Sequence, residues 1–260
     1  MNLAAFLRGA PARPNPRRPP PDDVVVWGAP PAAQPVLATW GLDPTWPVVV
    51  SFGVGIDSMG VLEGLDELGV VPLCLVFADT GGEHRATYQW LARFERDWLG
   101  PRVARGWPAR VSRVRARFGL LPYTLEEHSI RTHRLPSLAY GGSACSLKFK
   151  GEEIDRFVHA HVGPRLGPAW GAGQKVVRVI GYDDSPADRE RSHNEQKARA
   201  KSLTPPEAPT AEARRAMDAG ERAEAERDAK KARARYRKAV EKDARMAWFY
   251  PLQVWGWDRR

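Results

Sequence analysis

Apolar residues fall along this chain in two alternating patterns: short unbroken runs, and longer stretches with a helical period. Residues 48–52, Val-Val-Val-Ser-Phe, are one such run and end in a glycine-bearing turn, as a strand buried on both faces does. Over 57–68, Met59, Leu62, Leu65 and Leu68 recur every third residue, which predicts a helix stopped by Gly69. Residues 72–78 read as a second buried strand. Residues 83–99 read as a helix with Tyr88, Leu91, Phe94 and Trp98 in one stripe, Thr80 being placed to cap it. Residues 110–118 change to period two: Arg113, Arg115 and Arg117 alternate with Val114, Ala116 and Phe118, as on a strand with a basic and an apolar face. The pattern over 123–138 is weak. Residues 146–162 predict a helix with Ile154, Phe157, Val158 and His161 on one side, and 175–181, KVVRVIG, a further buried strand. Strands alternating with helices imply an α/β fold, with a doubly wound, mainly parallel sheet of about five strands.

Two regions depart from this rhythm. Residues 1–47 hold eleven of the 23 prolines and read as an extended or disordered arm. Residues 183–247 shift to Ala, Arg, Lys and Glu, with 17 basic and 14 acidic residues. Within them, 210–245 predicts one long helix that lacks a wide apolar face and so lies on the surface or projects from it. Residues 249–258 turn aromatic and apolar again and are expected to return to the core. The expected organisation is an arm over 1–47 and one α/β domain over 48–260, with 183–247 as a charged helical insertion.

Composition narrows the function classes. A 43% hydrophobic fraction and ten Trp in 260 residues suit a globular core, while a mean hydropathy of −0.47 and 27% charged residues suit solvated extensions. No apolar stretch approaches the ~18 residues of a membrane span. The apolar run from Leu3 to Leu7 is too short for a signal peptide, and the proline density opposes an amphipathic transit helix, so the chain reads as cytoplasmic. Cys74 and Cys145 are too few for a disulfide framework or for an unaided four-cysteine cluster, and Cys74 reads as a core residue. The net charge of +9 favours anionic partners: nucleotides, sulfated compounds or nucleic acid. Residues 102–117 carry six Arg and no acid, consistent either with a charged, solvated sheet edge or with a phosphate-binding surface. The near-balanced charge of the long helix favours a solvated helix over one that binds nucleic acid.

The strongest chemical signal is SFGVGIDS, from Ser51 to Ser58, between the first strand and the first helix. Glycines let backbone N–H groups approach an anion, the helix start supplies a positive dipole end, and hydroxyls add donors. Asp57 can hold Mg2+ or accept from a loop amide. The turn has neither the Gly-Lys-Ser/Thr of a Walker loop nor the GxGxxG of a dinucleotide fingerprint. It resembles the PP-loop of the adenine nucleotide α-hydrolase superfamily, usually SGGxDS. Four further segments are similar, in the right order, to the phosphoadenosine phosphosulfate (PAPS) reductase-like branch of it. They are LVFADTGGEHRATYQWL at 75–91, ACSLKFKGEEIDRFV at 144–158, VIGYDDSPADRERS at 179–192 and FYPLQVWGWDR at 249–259.

The resemblance covers about 48–260 and implies roles position by position. Ser51, Gly53, Gly55, Asp57 and Ser58 would cradle phosphates, with Asp57 at the metal. Asp79, Thr80 and Gly81 would meet the nucleoside or a leaving group, while Glu83 would meet ligand or simply favour a helix start. Lys148 and Lys150 would contact phosphate or sulfate oxygens, Gly181 would close on the nucleotide, and Arg189 and Arg191 would close over developing charge. Asp57, Lys148 and Arg189 are the catalytic candidates. The implied ligands are ATP or PAPS with Mg2+, and the implied activity is cleavage of ATP between its α- and β-phosphates to adenylate a substrate. The alternative is a non-catalytic module with a degenerate PP-loop that binds nucleotide, or that holds nucleic acid or a protein through Arg113, Arg115 and Arg117 and the long helix. There are departures from the family pattern. Val54 stands at a usual glycine and Ile56 at a common lysine, and the C-terminal reductase cysteine is missing, leaving Cys145 as the only cysteine from a motif. The stop at WGWDRR leaves two options, a truncated chain or a partner that completes that end.

Overall fold

The computed structural model describes residues 23–118, 121–133, 147–182, 184–206 and 219–257. In chain order its strands are β1 (Val48–Ser51), β2 (Cys74–Asp79), β3 (Ser112–Arg115), β4 (Arg117–Phe118), β5 (Leu121–Pro122), β6 (Val176–Ile180) and β7 (Met246–Phe249). Five of them form one sheet in the order β3-β2-β1-β6-β7, and every neighbouring pair is parallel. β4 and β5 form a separate antiparallel pair. The α-helices are α1 (Ile56–Glu67), α2 (Arg85–Arg93), α3 (Leu125–Thr132), α4 (Glu152–Phe157), α5 (Gly163–Leu166), α6 (Pro186–Ser202), α7 (Ala219–Arg245) and α8 (Pro251–Val254). The expected doubly wound α/β fold with a helical insertion is the fold observed. No helix among the described residues is long and apolar enough to cross a membrane.

Burial follows strand alternation. Val48, Val50, Leu75, Phe77, Val177 and Val179 point to one face, where Val61, Leu62 and Leu65 of α1 and Leu91 of α2 meet them. Val49, Cys74, Val76 and Val176 point to the other, against Ile154 and Phe157 of α4. Both faces are therefore covered, which is why these strands read as continuous apolar runs. The same alternation aims Arg178, between Val177 and Val179, to the α4 side.

Several expectations change in detail. The helix over 83–99 is capped by His84, whose Nδ1 accepts from the Ala86 amide at 3.2 Å, rather than by Thr80. The weakly patterned 123–138 contains α3, held at its start by a reciprocal capping box. Thr124 Oγ1 accepts from the Glu127 amide at 3.0 Å and Glu127 Oε2 from the Thr124 amide at 2.9 Å. The charged insertion contains α6 as well as α7; the first part of the expected long helix, 210–218, lies outside the described residues. The aromatic C-terminal stretch does return to the core, as β7 and α8, with Phe249, Tyr250 and Leu252 buried.

The described part of the proline-rich arm is packed, not loose. Leu37 is buried, Gln34 Oε1 accepts from the Val71 amide at 2.7 Å, and Arg156 and His161 hold Asp23. Val24 exchanges backbone hydrogen bonds with Arg113, so the arm covers part of the outer edge of β3. Proline lowers the chain's entropy without preventing such docking, provided a core face is left for it.

Candidate functional site

An open parallel sheet leaves a crevice beyond the C-terminal ends of two neighbouring strands whose connections run in opposite directions. Here those strands are β1 and β6, and a cleft of 810 Å³ opens there. Seven of the expected site residues line it: Ser51, Gly53, Gly55, Asp57, Ser58, Lys150 and Gly181.

The turn over residues 52–55 is open. Phe52 donates its amide to the Val76 carbonyl at 2.9 Å, and the Gly55 amide is taken by Ser58 Oγ at 3.0 Å, whose hydroxyl donates back to the Gly55 carbonyl at 2.8 Å. Ser58 thus closes the helix start rather than facing a ligand with a spare hydroxyl. Among the described residues no protein acceptor meets the amides of Gly53, Val54 and Ile56. Met59 donates its amide to the Gly55 carbonyl at 3.1 Å, so the turn runs into the N-terminal, positive end of the α1 dipole. Val54 has φ 62°, the left-handed region that a β-branched side chain resists, at the position where the PP-loop pattern has glycine. Ile56, at the position of the common lysine, is 64% exposed. Gly181 is needed for another reason: a Cβ there would sit 3.1 Å from the Asp57 carbonyl carbon and from the Ser58 amide nitrogen. The end of β6 and the start of α1 touch through backbone alone.

The floor of the cleft is an ionic network that the motifs did not reveal. Arg178, 7% exposed, donates from Nε to Ser51 Oγ at 3.1 Å and from Nη1 to Asp155. Lys242 of α7 donates to the other oxygen of the same carboxylate. Two cations thus share this one acid, while the cleft lining as a whole sets Lys150, Arg178, Arg199 and Lys242 against Asp57, Asp155, Glu195 and Asp243. On the insertion side, Tyr182 and Tyr250 stack at 5.6 Å and donate to the two oxygens of Glu195, at 2.7 and 2.9 Å. Burial, then the Glu195 charge, pushes the Tyr250 hydroxyl up to about 12; burial and the hydrogen bond to Glu195 push Tyr182 up as well. The Arg199 guanidinium lies 3.9 Å from the Trp248 ring centroid and reaches Tyr250. One signal for this floor was visible in the sequence: Arg178 is a charge inside an otherwise apolar run, which requires a buried partner.

The other expected residues gather elsewhere. Asp79, 2% exposed, accepts from Tyr88 at 2.7 Å, from the Gly81 amide at 2.9 Å and twice from Arg115 at 2.9 and 3.0 Å. Burial alone would raise its pKa, but these donors outweigh it and hold the carboxyl below the usual carboxylate range. Thr80 donates to Glu83 at 3.1 Å, and Glu83 pairs with Lys150 at 3.5 Å. Gly81, φ 74°, lies against Thr124 so closely that a Cβ would come within 2.4 Å. Lys148 lies 3.5 Å from His128 Nδ1, over the Tyr123 and Phe149 rings; burial, then the Lys148 charge, lowers the His128 pKa. Arg189 pairs with Asp184, and Arg191 with Asp188 at 2.7 Å. None of Asp79, Thr80, Gly81, Lys148, Arg189 and Arg191 lines the cleft.

Part of the basic cluster is neutralised locally. Arg115 pairs with Asp79, Arg113 with Glu95 at 3.9 Å, and Arg102 and Arg105 with Asp66, both at 2.9 Å. The Arg117 side chain and Cys145 lie outside the described residues. Cys74 is buried at the start of β2, and burial pushes its thiol well above the ordinary range, which suits a core residue. Among the described residues no three His, Cys, Asp or Glu side chains converge as a metal site. One carboxylate serves Mg2+ only if phosphates and water supply the rest of its shell, and Asp57 is a carboxylate that lines the cleft at the start of α1. Compared with protein-family models, curated proteins and solved structures, the chain matches none.

Proposed function

We propose that this chain binds an adenine nucleotide in the cleft between the ends of β1 and β6, with the phosphates over residues 52–55. On this reading it is a PAPS reductase-like PP-loop enzyme that cleaves ATP between the α- and β-phosphates and adenylates a second substrate. The observation that carries the proposal is the turn itself. Three amides of this turn, those of Gly53, Val54 and Ile56, have no protein acceptor among the described residues, and they stand at a helix start in a cleft that Arg178 and Lys242 also line. In the reaction, a nucleophilic oxygen of the acceptor attacks the α-phosphorus, the bond to the bridging β-phosphate oxygen breaks, and pyrophosphate leaves; the acceptor keeps AMP and gives its proton to solvent. Asp57, with phosphates and water, would hold Mg2+, whose charge offsets that on the leaving pyrophosphate. Arg178, Lys242 and Lys150 would compensate the phosphates in place of the lysine that Ile56 replaces. ATP is favoured over PAPS because sulfonyl reduction needs a reactive thiolate and, with Cys74 buried, only Cys145 is left to supply one.

A second reading, a binding module without catalysis, draws on the distance of Lys148, Arg189 and Arg191 from the cleft lining. Titration calorimetry with ATP, adenosine phosphosulfate and PAPS, joined to a pyrophosphate-release assay, separates the two. The enzymatic reading expects ATP binding that Asp57→Ala weakens about tenfold or more in Mg2+, with the fold retained, and pyrophosphate release in the wild type. Binding without release leaves only the module. If none of the three nucleotides binds, both nucleotide readings fail.

A further inference from the structure

Six cations crowd nine consecutive residues of α7: Lys230, Lys231, Arg233, Arg235, Arg237 and Lys238, with no acid among them. All six are exposed. Among the described residues only Lys231 has an ion-pair partner, Asp228, at 3.3 Å on the solvated surface. The near-balance of charge over the whole insertion hides this, because the acids of α7 collect before and after the block, at Glu221, Glu224, Glu226 and Asp228 and again at Glu241 and Asp243.

Helical spacing connects the block to the cleft. Ala239, Lys242 and Asp243 line the cleft. Arg235 is four residues before Ala239 and seven before Lys242, Lys238 is four before Lys242, and Lys231 is four before Arg235, so these side chains follow one face into the opening. From Ala239 back to Lys231 the track runs about 12 Å along the axis. That extends past the space one mononucleotide in the cleft would fill. Beside it, α6 packs on α7, carries exposed Lys197 and Lys201, and lends Arg199 and Ser202 to the cleft wall. The residues between the cations are Ala232, Ala234 and Tyr236, which supply no broad apolar face to enter a lipid surface. What matches an exposed row of cations, of which only Lys231 is paired among the described residues, ending at a cleft is a ligand with a regular row of anions.

We propose that this face of α7 holds a nucleic-acid strand and feeds it to the cleft, which makes nucleic acid the acceptor of the adenylation described above. The acceptor role rests on that reading of the cleft; the binding does not. The test uses the full chain and fluorescence anisotropy of labelled mixed-sequence oligonucleotides, single-stranded and duplex, over a salt series. Wild-type affinity falls linearly with log salt. In the triple variant Lys231→Gln, Arg235→Gln, Lys238→Gln the slope becomes shallower by about two to three and affinity at moderate salt drops about tenfold or more. Circular dichroism of the variant keeps its helical signal, and its ATP binding by calorimetry stays at the wild-type value. Oligonucleotide binding that the triple variant leaves unchanged, or no oligonucleotide binding at all, overturns the proposal. So does a poly-glutamate peptide that displaces the oligonucleotide at equal charge concentration, since the track would then select any polyanion. Loss of ATP binding by the wild type with oligonucleotide binding intact sinks the nucleotide reading and leaves the strand site standing.

Discussion

Two glycine-bearing turns leave neighbouring strands at the same end of the sheet, and they differ in where their donors go. After β2, Asp79 turns back on its own loop: its carboxylate takes the Gly81 amide, Tyr88 and Arg115, and Thr80 takes the Gly82 amide at 3.3 Å. After β1 the amides of Gly53, Val54 and Ile56 meet no protein acceptor among the described residues. The two sequences look equally suited to ligand, since both combine Gly with Asp and a hydroxyl residue. The difference teaches that such a turn is a binding site only if its donors are left over once the protein has satisfied itself.

The largest effect should come from breaking the closed turn. Asp79→Ala strands Tyr88, the Gly81 amide and Arg115, and should cost about 2–4 kcal/mol in urea unfolding. Nucleotide affinity should change only as far as folding does. A stable Asp79→Ala protein that has lost nucleotide binding would reverse the assignment of the two turns. The same carboxylate gives a pH test. Its folded pKa is depressed, so its contribution is complete above the unfolded value of about 3.9 and is lost as pH falls through the folded pKa. The stability gap between wild type and Asp79→Asn should therefore be flat near neutrality and narrow only in acid.

Next in size is the contact that keeps the open turn in place. Gly181→Ala puts a methyl group 3.1 Å from the backbone of Asp57 and Ser58, where no flexible side chain can yield. We expect a loss of about 1–3 kcal/mol, seen in thermal unfolding, with nucleotide affinity falling beyond what stability explains. Equal affinity in the folded variant would mean that the β6–α1 contact does not shape the phosphate site. The smallest effect runs the other way. Val54→Gly relieves a left-handed β-branched residue worth about 1–3 kcal/mol against a glycine entropy penalty of about 0.5–1 kcal/mol. A small rise in melting temperature is expected, and a fall would show that the Val54 side chain packs better than its backbone suffers.

Much of the frame was legible in the chain, because covering a parallel sheet on both faces demands unbroken apolar strands and striped helices, and both are local patterns. The turn was legible for a related reason: a helix start leaves N–H groups without intrahelical partners wherever it occurs. What the sequence left open shares one cause. A motif names residue types but not their partners, and the partner that takes up Asp79 is Arg115, 36 positions away. Arg178, Asp155 and Lys242 were passed over because the network forms only when β6, α4 and α7 meet. α3 was missed although its Thr-x-x-Glu box was present, since its apolar pattern is weak.

By itself, then, the sequence determined the α/β alternation, the buried strands, the glycine turn after the first of them and the block of cations in the insertion. These depend on neighbours within a turn or two of helix or strand. The tertiary structure alone decided which of the two turns keeps donors without a protein acceptor among the described residues, which charges cancel, and that α7 sets Lys242 in the cleft. Each of those outcomes depends on groups far apart in the chain competing for the same hydrogen bonds, and that competition is resolved only once the chain has folded.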